Sequence, residues 1–254
     1  NNNLTGDKML VVGQGNLATG TVANFVNTAS LVVGTTNNIN KTSPSTGTII
    51  NSILSGQNNS ITKKLIRSNV SGISHSMDGD ATNVLVAGSG NSMDGNNNFM
   101  WGANNTISNV NNITVGGFNN RVQKSGSNSN AYGSFVIGWN NEIGTASTTG
   151  IPQAILIAGR DNTISPSSKY IIVSGNDNFI STLKADGTAL SPEGGIISGF
   201  KNHIGDSVNS GVSVYTNYNV VSSNESYINT QYSLIVGYQH GDKIGTDYYF
   251  LNGV

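Results

Sequence analysis

KMLVVGQGNLATG, residues 8–20, supports two readings, and the choice between them decides the fold. An apolar run leads into Gly13-Gln14-Gly15-Asn16-Leu17-Ala18, which fits the G-x-G-x-x-A form of a dinucleotide fingerprint. The same stretch also opens a frame that recurs along the chain. LVVGTTNNI (31–39), ILSGQNNSI (53–61), LVAGSGNSM (85–93) and FMWGANNTI (99–107) align on it. So do FVIGWNNEI (135–143), LIAGRDNTI (156–164), IVSGNDNFI (172–180) and IISGFKNHI (196–204). Each copy has two or three apolar residues, Gly, two variable residues, Asn, one variable residue and an apolar residue. Gly15, which the fingerprint requires, is usually absent from later copies. The following TGTVANFVNTAS has no amphipathic helical period, so no helix N-terminus is available to hold a pyrophosphate. The repeat explains the glycines, and no cofactor is expected.

The anchoring glycines are Gly13, Gly34, Gly56, Gly88, Gly102, Gly117, Gly138, Gly159, Gly175, Gly199 and Gly237. Two degenerate copies complete the series: Gly72 with Met77 five residues on, and Tyr215 in the glycine place with Val220 five on. Spacings then fall into a short class of 14–16 residues and a long class of 21–24. This reads as a coil of about 14 residues, with loops inserted in the long copies. The β-branched and aromatic residues before Gly are expected to form one short strand. Gly and Asn are expected to supply the turn by tolerating positive φ. The apolar residue five after Gly should open the return strand. About thirteen coils then make an all-β parallel solenoid, roughly 60 Å long at a strand spacing of ~4.8 Å.

The strands carry adjacent apolar pairs, among them Leu10/Val11, Leu31/Val32, Ile53/Leu54, Leu85/Val86, Phe135/Val136, Leu156/Ile157, Ile172/Val173 and Ile196/Ile197. Adjacent strand residues face opposite sides, and a coil this small has one interior. One member of each pair is therefore expected to face another chain, which makes the functional unit an oligomer of solenoids lying side by side.

Composition excludes several function classes and leaves the compartment open. The 254 residues include 32 Gly, still more Asn, and only 10 % charged residues, against about 25 % in ordinary soluble domains. A net charge of −1 offers no electrostatic footprint for nucleic acid. The chain has no Cys, which excludes disulfides, thiolate metal sites and cysteine nucleophiles. No apolar run approaches the ~20 residues of a membrane-spanning helix.

The combination of this frame, the Asn/Ser/Thr/Gly-rich composition and the absence of Cys resembles the head domains of trimeric autotransporter adhesins. These are the YadA-like group of Gram-negative surface proteins. The resemblance runs from about residue 9 to 244. It implies a left-handed parallel β-roll, a homotrimer, and a single head domain over residues 1–254 taken from a longer protein. A signal peptide, stalk and outer-membrane anchor would lie outside this stretch. The implied role is attachment, without catalysis, to a host cell-surface protein or extracellular matrix. Asn stands where many family heads have a small residue, and His240 replaces Asn in LIVGYQHGDKIG.

No Ser lies in G-x-S-x-G, and His75, His203 and His240 read as repeat-position residues rather than a hydrolase set. Asp78, Asp80 and Asn83 of MDGDATN suggest calcium, but the closing Glu of an EF-hand is missing, so a turn is expected and no metal. Two surfaces are candidates for partner binding. One is the column just after Gly, holding Phe118, Trp139, Arg160, Asn176, Phe200, Thr216 and Tyr238, with Phe118, Trp139, Arg160, Phe200 and Tyr238 as the contact candidates. The alternative for these residues is that they cover roll edges or touch the neighbouring chain. The other surface is the inserted loops at 41–48, 124–133, 145–153, 182–194 and 224–232. Competing identities are a phage-type trimeric tail fibre and a β-solenoid polysaccharide-degrading enzyme. The latter would need carboxylates clustered in one groove, and the 13 acidic residues are scattered.

Overall fold

A computed structural model describes residues 3–4, 7–20, 26–41, 48–123, 133–144, 153–164, 168–180, 193–204, 219–228, 234–238 and 250–252. The described residues contain strands, bridges and turns and no helix. By its contacts the chain divides into two compact units, Asn1–Asn119 and Asn120–Val254, each taken separately below.

In the first unit the anchoring glycines stack in register through parallel strands: Gly13 on Gly34, then Gly56, Gly72, Gly88, Gly102 and Gly117. They belong to the wide sheet, built from strands such as Ile53–Gln57, Leu85–Ser89 and Phe99–Ala103. A narrow sheet of short parallel strands faces it, including Asn38–Lys41, Ser60–Ile61, Ser76–Met77, Ser92–Met93 and Thr106–Ser108. The second unit repeats this plan. Gly138 stacks on Gly159, Gly175 and Gly199 in the wide sheet, while Glu142, Thr163, Phe179, His203 and Tyr227 stack in the narrow one.

Alternation sorts the apolar pairs as expected. Val32, Leu54, Val86, Val136, Ile157, Val173 and Ile197, two places before Gly, are buried. Their opposite wall is the residue five after Gly: Ile39, Ile61, Met77, Met93, Ile107, Val122, Ile143, Ile164, Ile180 and Ile204, all buried. The residues three before Gly point the other way, and most remain exposed.

The glycine is required by close approach. A Cβ built on Gly88 would overlap the carbonyl oxygen of Gly102 in the next coil, and φ there is +114°. The first corner follows at once, with the left-handed residue two places after Gly, as at Thr36, Asn58, Ser74, Asn104, Asn140 and Asp161. The repeated Asn, one place further on, is therefore not the positive-φ residue the turn chemistry suggests. Instead it turns inward. A second left-handed corner lies five places before Gly, at Asn51, Arg67, Asn83, Asn97, Asn112, Ala154 and Tyr170.

The inward asparagines form a buried polar ladder. Asn37 Nδ2 donates to Asn16 Oδ1 at 3.0 Å, Gly56 O at 3.0 Å and Val33 O at 3.3 Å, while Asn37 Oδ1 accepts from Asn59 N and Nδ2. In the second unit Asn120, Asn141, Asn162, Asn178 and Asn202 are linked the same way at 2.9 Å between amides. Each side chain satisfies the corner carbonyl of the next coil, so the buried corner backbone keeps its partners.

One degenerate copy differs from the sequence expectation. The strand Asn219–Asn224 places Ser223, not Tyr215, opposite Gly199 and Gly237, and Ser226 takes the Asn position at the end of the ladder. The apolar pair Val220-Val221 precedes Ser223 as the frame demands, whereas even spacing alone selected Tyr215. The interval is consequently a long coil followed by a short one, and the column residue is Asn224 in place of Thr216, which lies outside the described residues.

Candidate functional site

The outward side of the wide sheet follows from the same alternation. Residues three before, one before and one after Gly share that face. In the second unit the position three before Gly holds Phe135, Leu156, Ile172, Ile196, Val220 and Leu234, paired in register on successive coils. Every one is exposed, from 37 % at Phe135 to 49 % at Ile196. At ~4.8 Å per step this is a continuous apolar ridge. In the first unit Leu10, Ile53 and Phe99 are exposed in the same column, but Asn69 and Thr114 interrupt it.

Four residues along the strand, ~13 Å from the ridge, is the column after Gly at the first corner. The structure stacks Trp139, Arg160, Asn176, Phe200, Asn224 and Tyr238 there in register. Trp139 is 51 % exposed, and Phe200 is also exposed. The side chain of Tyr238 lies outside the described residues. Phe118, in the first unit, is exposed beside Ala103. Of the five candidates, Trp139 and Arg160 are brought into direct contact: the guanidinium carbon lies 5.6 Å from the indole centroid. Asp161, at the left-handed corner, accepts from Arg160 Nε at 2.7 Å. This bond holds the Arg160 guanidinium above its ordinary range, and the same bond, with a second from Asn140, holds the Asp161 carboxyl below its own. Two coils on, Lys201 Nζ lies 4.9 Å over the Phe200 ring and 3.9 Å from Glu225.

Sequence reasoning did not find the cations and carboxylates at the left-handed position, Asp161, Lys201 and Glu225. Their signal was present, since the frame makes two residues after Gly a column of its own. The narrow sheet adds an exposed Phe179 beside His203, with ring centroids 5.8 Å apart. Most of the inserted loops lie outside the described residues, but 224–228, expected as part of a loop, are the strand end, corner and return strand of a coil, because the frame registers on Val220 and Val221.

The calcium candidates separate. Asp78 accepts from Thr62 Oγ1 and Asp80 from Lys64 N, while Asn83 Nδ2 donates to Asn97 Oδ1 at 2.9 Å at the other corner. No group of three His, Cys, Asp or Glu among the described residues is placed to hold a metal ion. His75 sits in the ladder, replacing an Asn. Its Nε2 is 3.0 Å from Ser71 O, so that nitrogen carries the proton, and Nδ1 accepts from Asn91 N at 3.2 Å. Burial lowers its pKa below the ordinary 6.5.

Comparison with known protein families, characterised proteins and solved structures returns no match.

Proposed function

We propose that the chain is the head of a bacterial surface adhesin, a left-handed β-roll of about thirteen coils that works as a homotrimer. It would stand on the outer membrane, carried by a stalk and anchor elsewhere in the protein. There it attaches the cell, without catalysis, to a host surface protein or to extracellular matrix. The observation that carries this reading is the apolar ridge of the second unit. Exposed apolar stacks of this length mark interaction surfaces, and a ridge running across the parallel coils of one unit suits side-by-side packing against the same ridge of identical chains. Three rigid copies would multiply weak single contacts by avidity.

The experiment is sedimentation equilibrium of the chain and of Ile196→Asp, alongside binding of each to immobilised matrix proteins and host cells. The expected result is a trimer for the parent chain and a folded, dissociated chain for Ile196→Asp, with surface attachment falling at least tenfold. A parent chain that is folded and monomeric at micromolar concentration refutes the assembly, and a trimer that attaches to nothing refutes the adhesive role.

A further inference from the structure

The ridge and the corner column differ in chemistry, and that difference identifies a ligand. The ridge is a continuous apolar stack, the form of a surface that a protein partner covers. The corner of the second unit is different: two aromatic side chains, Trp139 and Phe200, stand three coils apart with Arg160 and Asn176 between them. Three steps at ~4.8 Å place the two positions about 14 Å apart along one edge of the stacked coils. Isolated rings separated by polar groups suit a ligand whose apolar patches are themselves isolated between hydrogen-bonding groups. A pyranose is built this way, with C–H faces above and below the ring and hydroxyls around its rim.

Arg160 adds a charge requirement. Its guanidinium is fixed in orientation by Asp161 through Nε at 2.7 Å and by the Trp139 ring at 5.6 Å. The Nη1 and Nη2 donors have no hydrogen bond among the described residues, and the side chain is 62 % exposed. A held guanidinium with one edge unused is a fork for a carboxylate, which it takes in two parallel bonds. The neighbouring charges limit where an anion can sit. Asp161 is already engaged, Lys201 lies beside Glu225 at 3.9 Å, and the negative charge of Asp177 also reaches Arg160. Arg160 is the one cation in the column from Trp139 to Tyr238, so the acid group is confined to its unused nitrogens.

The geometry points to this corner as a subsite for an acidic glycan: a short oligosaccharide whose carboxylate-bearing pyranose stacks on Trp139 and pairs with Arg160. Its next rings run along Asn176 toward Phe200. The inference rests on the adhesin reading, because it names the ligand class of that same surface. The chemistry is shared by uronic and sialic acids, and the test has an arm for each.

Affinity of the whole chain is measured by titration calorimetry for a hyaluronan oligosaccharide and for 3′-sialyllactose, each against the same sugar with its carboxyl reduced to an alcohol. At least one acid is expected to bind tenfold or more tightly than its reduced form, with the preference shrinking at high salt. Arg160→Ala should erase the preference, Arg160→Lys should restore only part of it, and Trp139→Ala should weaken both forms of the sugar. Circular dichroism checks that each variant is folded. Equal affinity for acid and reduced forms overturns the inference, as does binding by neither acid, or attachment to deglycosylated protein alone. The parent chain separates the two readings: acid-selective binding by a parent chain that sediments as a monomer sustains the subsite while the assembly fails, and a parent trimer that attaches to cells but binds neither acid sustains the assembly while the subsite fails.

Discussion

His75→Asn tests the ladder where the molecule itself departs from it. The ring keeps the bond from its backbone N–H to Asn59 Oδ1 at 3.0 Å and accepts from Asn91 N at 3.2 Å. It lacks the two amide-to-amide bonds that join Asn37 to Asn59 and Asn91 to Asn105 on either side. Restoring two buried hydrogen bonds at about 0.5–1.5 kcal/mol each predicts a gain of roughly 1–3 kcal/mol at pH 7.5. Acid should widen the gap. The folded value of His75 lies below the ordinary 6.5 because burial disfavours the charged ring. Between the folded value and 6.5 the unfolded chain binds a proton that the folded chain does not, so stability falls as pH falls through that window. The limiting slope is about 1.4 kcal/mol per pH unit. Protonation would also turn Nδ1 into a donor facing the N–H of Asn91. Urea unfolding followed by far-UV circular dichroism, at pH 7.5, 6.5 and 5.5 and one chain concentration, measures both effects. The parent midpoint should drop across the series and that of His75→Asn should drop less. Equal slopes for the two chains, or a less stable His75→Asn at every pH, would refute the argument.

Two further substitutions probe the same skeleton. Gly88→Ala should cost more than about 3 kcal/mol, since its methyl combines a left-handed backbone penalty with overlap on the Gly102 carbonyl. Gly133→Ala should cost only about 1–2 kcal/mol, because φ is +58° but no atom lies within 4 Å of the added carbon; thermal unfolding of both chains checks the difference. Asp94→Asn should stabilise the protein near neutral pH. Burial, reinforced by Asp80 and Asp78 against the opposing pull of Lys63, raises the Asp94 pKa above 3.8. The folded chain therefore holds a proton that the unfolded chain has already released, and stability declines as pH rises through that window. The gain should reach up to about 1 kcal/mol after solvent screening and vanish below pH 3.8. A gain independent of pH would show that charge is not its cause.

Periodicity made the wall of the interior legible before any coordinates. A two-residue alternation puts Phe135 and Val136 on opposite faces, and the structure shows Val136 to be the inward one, facing Ile143 on the return strand. The role of the Asn was not legible, because composition offers two physical uses for it. The amide tolerates positive φ, and it also carries a donor and an acceptor on one short arm. Only the corner geometry, which gives positive φ to Asn140 and burial to Asn141, separates the two. Ser223 escaped for a related reason: spacing treats all inserted residues alike, while the strand registers on Val220 and Val221. At the candidate site, the aromatic column could be read from the frame. The pairing of Arg160 with Trp139 and Asp161 depends on side-chain conformations that spacing does not specify.

The interior of a coil is complete with the residues two before Gly, three after it and five after it, together with the second corner. Nothing in that set asks for an apolar side chain three before Gly. Asn69 and Thr114 occupy that position in the first unit while their neighbours Val70 and Val115 stay fully buried, so the coil folds with a polar group there. The second unit nevertheless places Phe, Leu, Ile, Ile, Val and Leu there in six consecutive registers. Leaving these side chains in water forfeits roughly 25 cal/mol for every Å² that a partner would cover, and a polar residue would remove that penalty without touching the core. The choice of side chain at this position is therefore decided outside the single chain. The same reasoning applies to Trp139 and Phe200, which fold requires no more than it requires Asn176 or Asn224 in the same column.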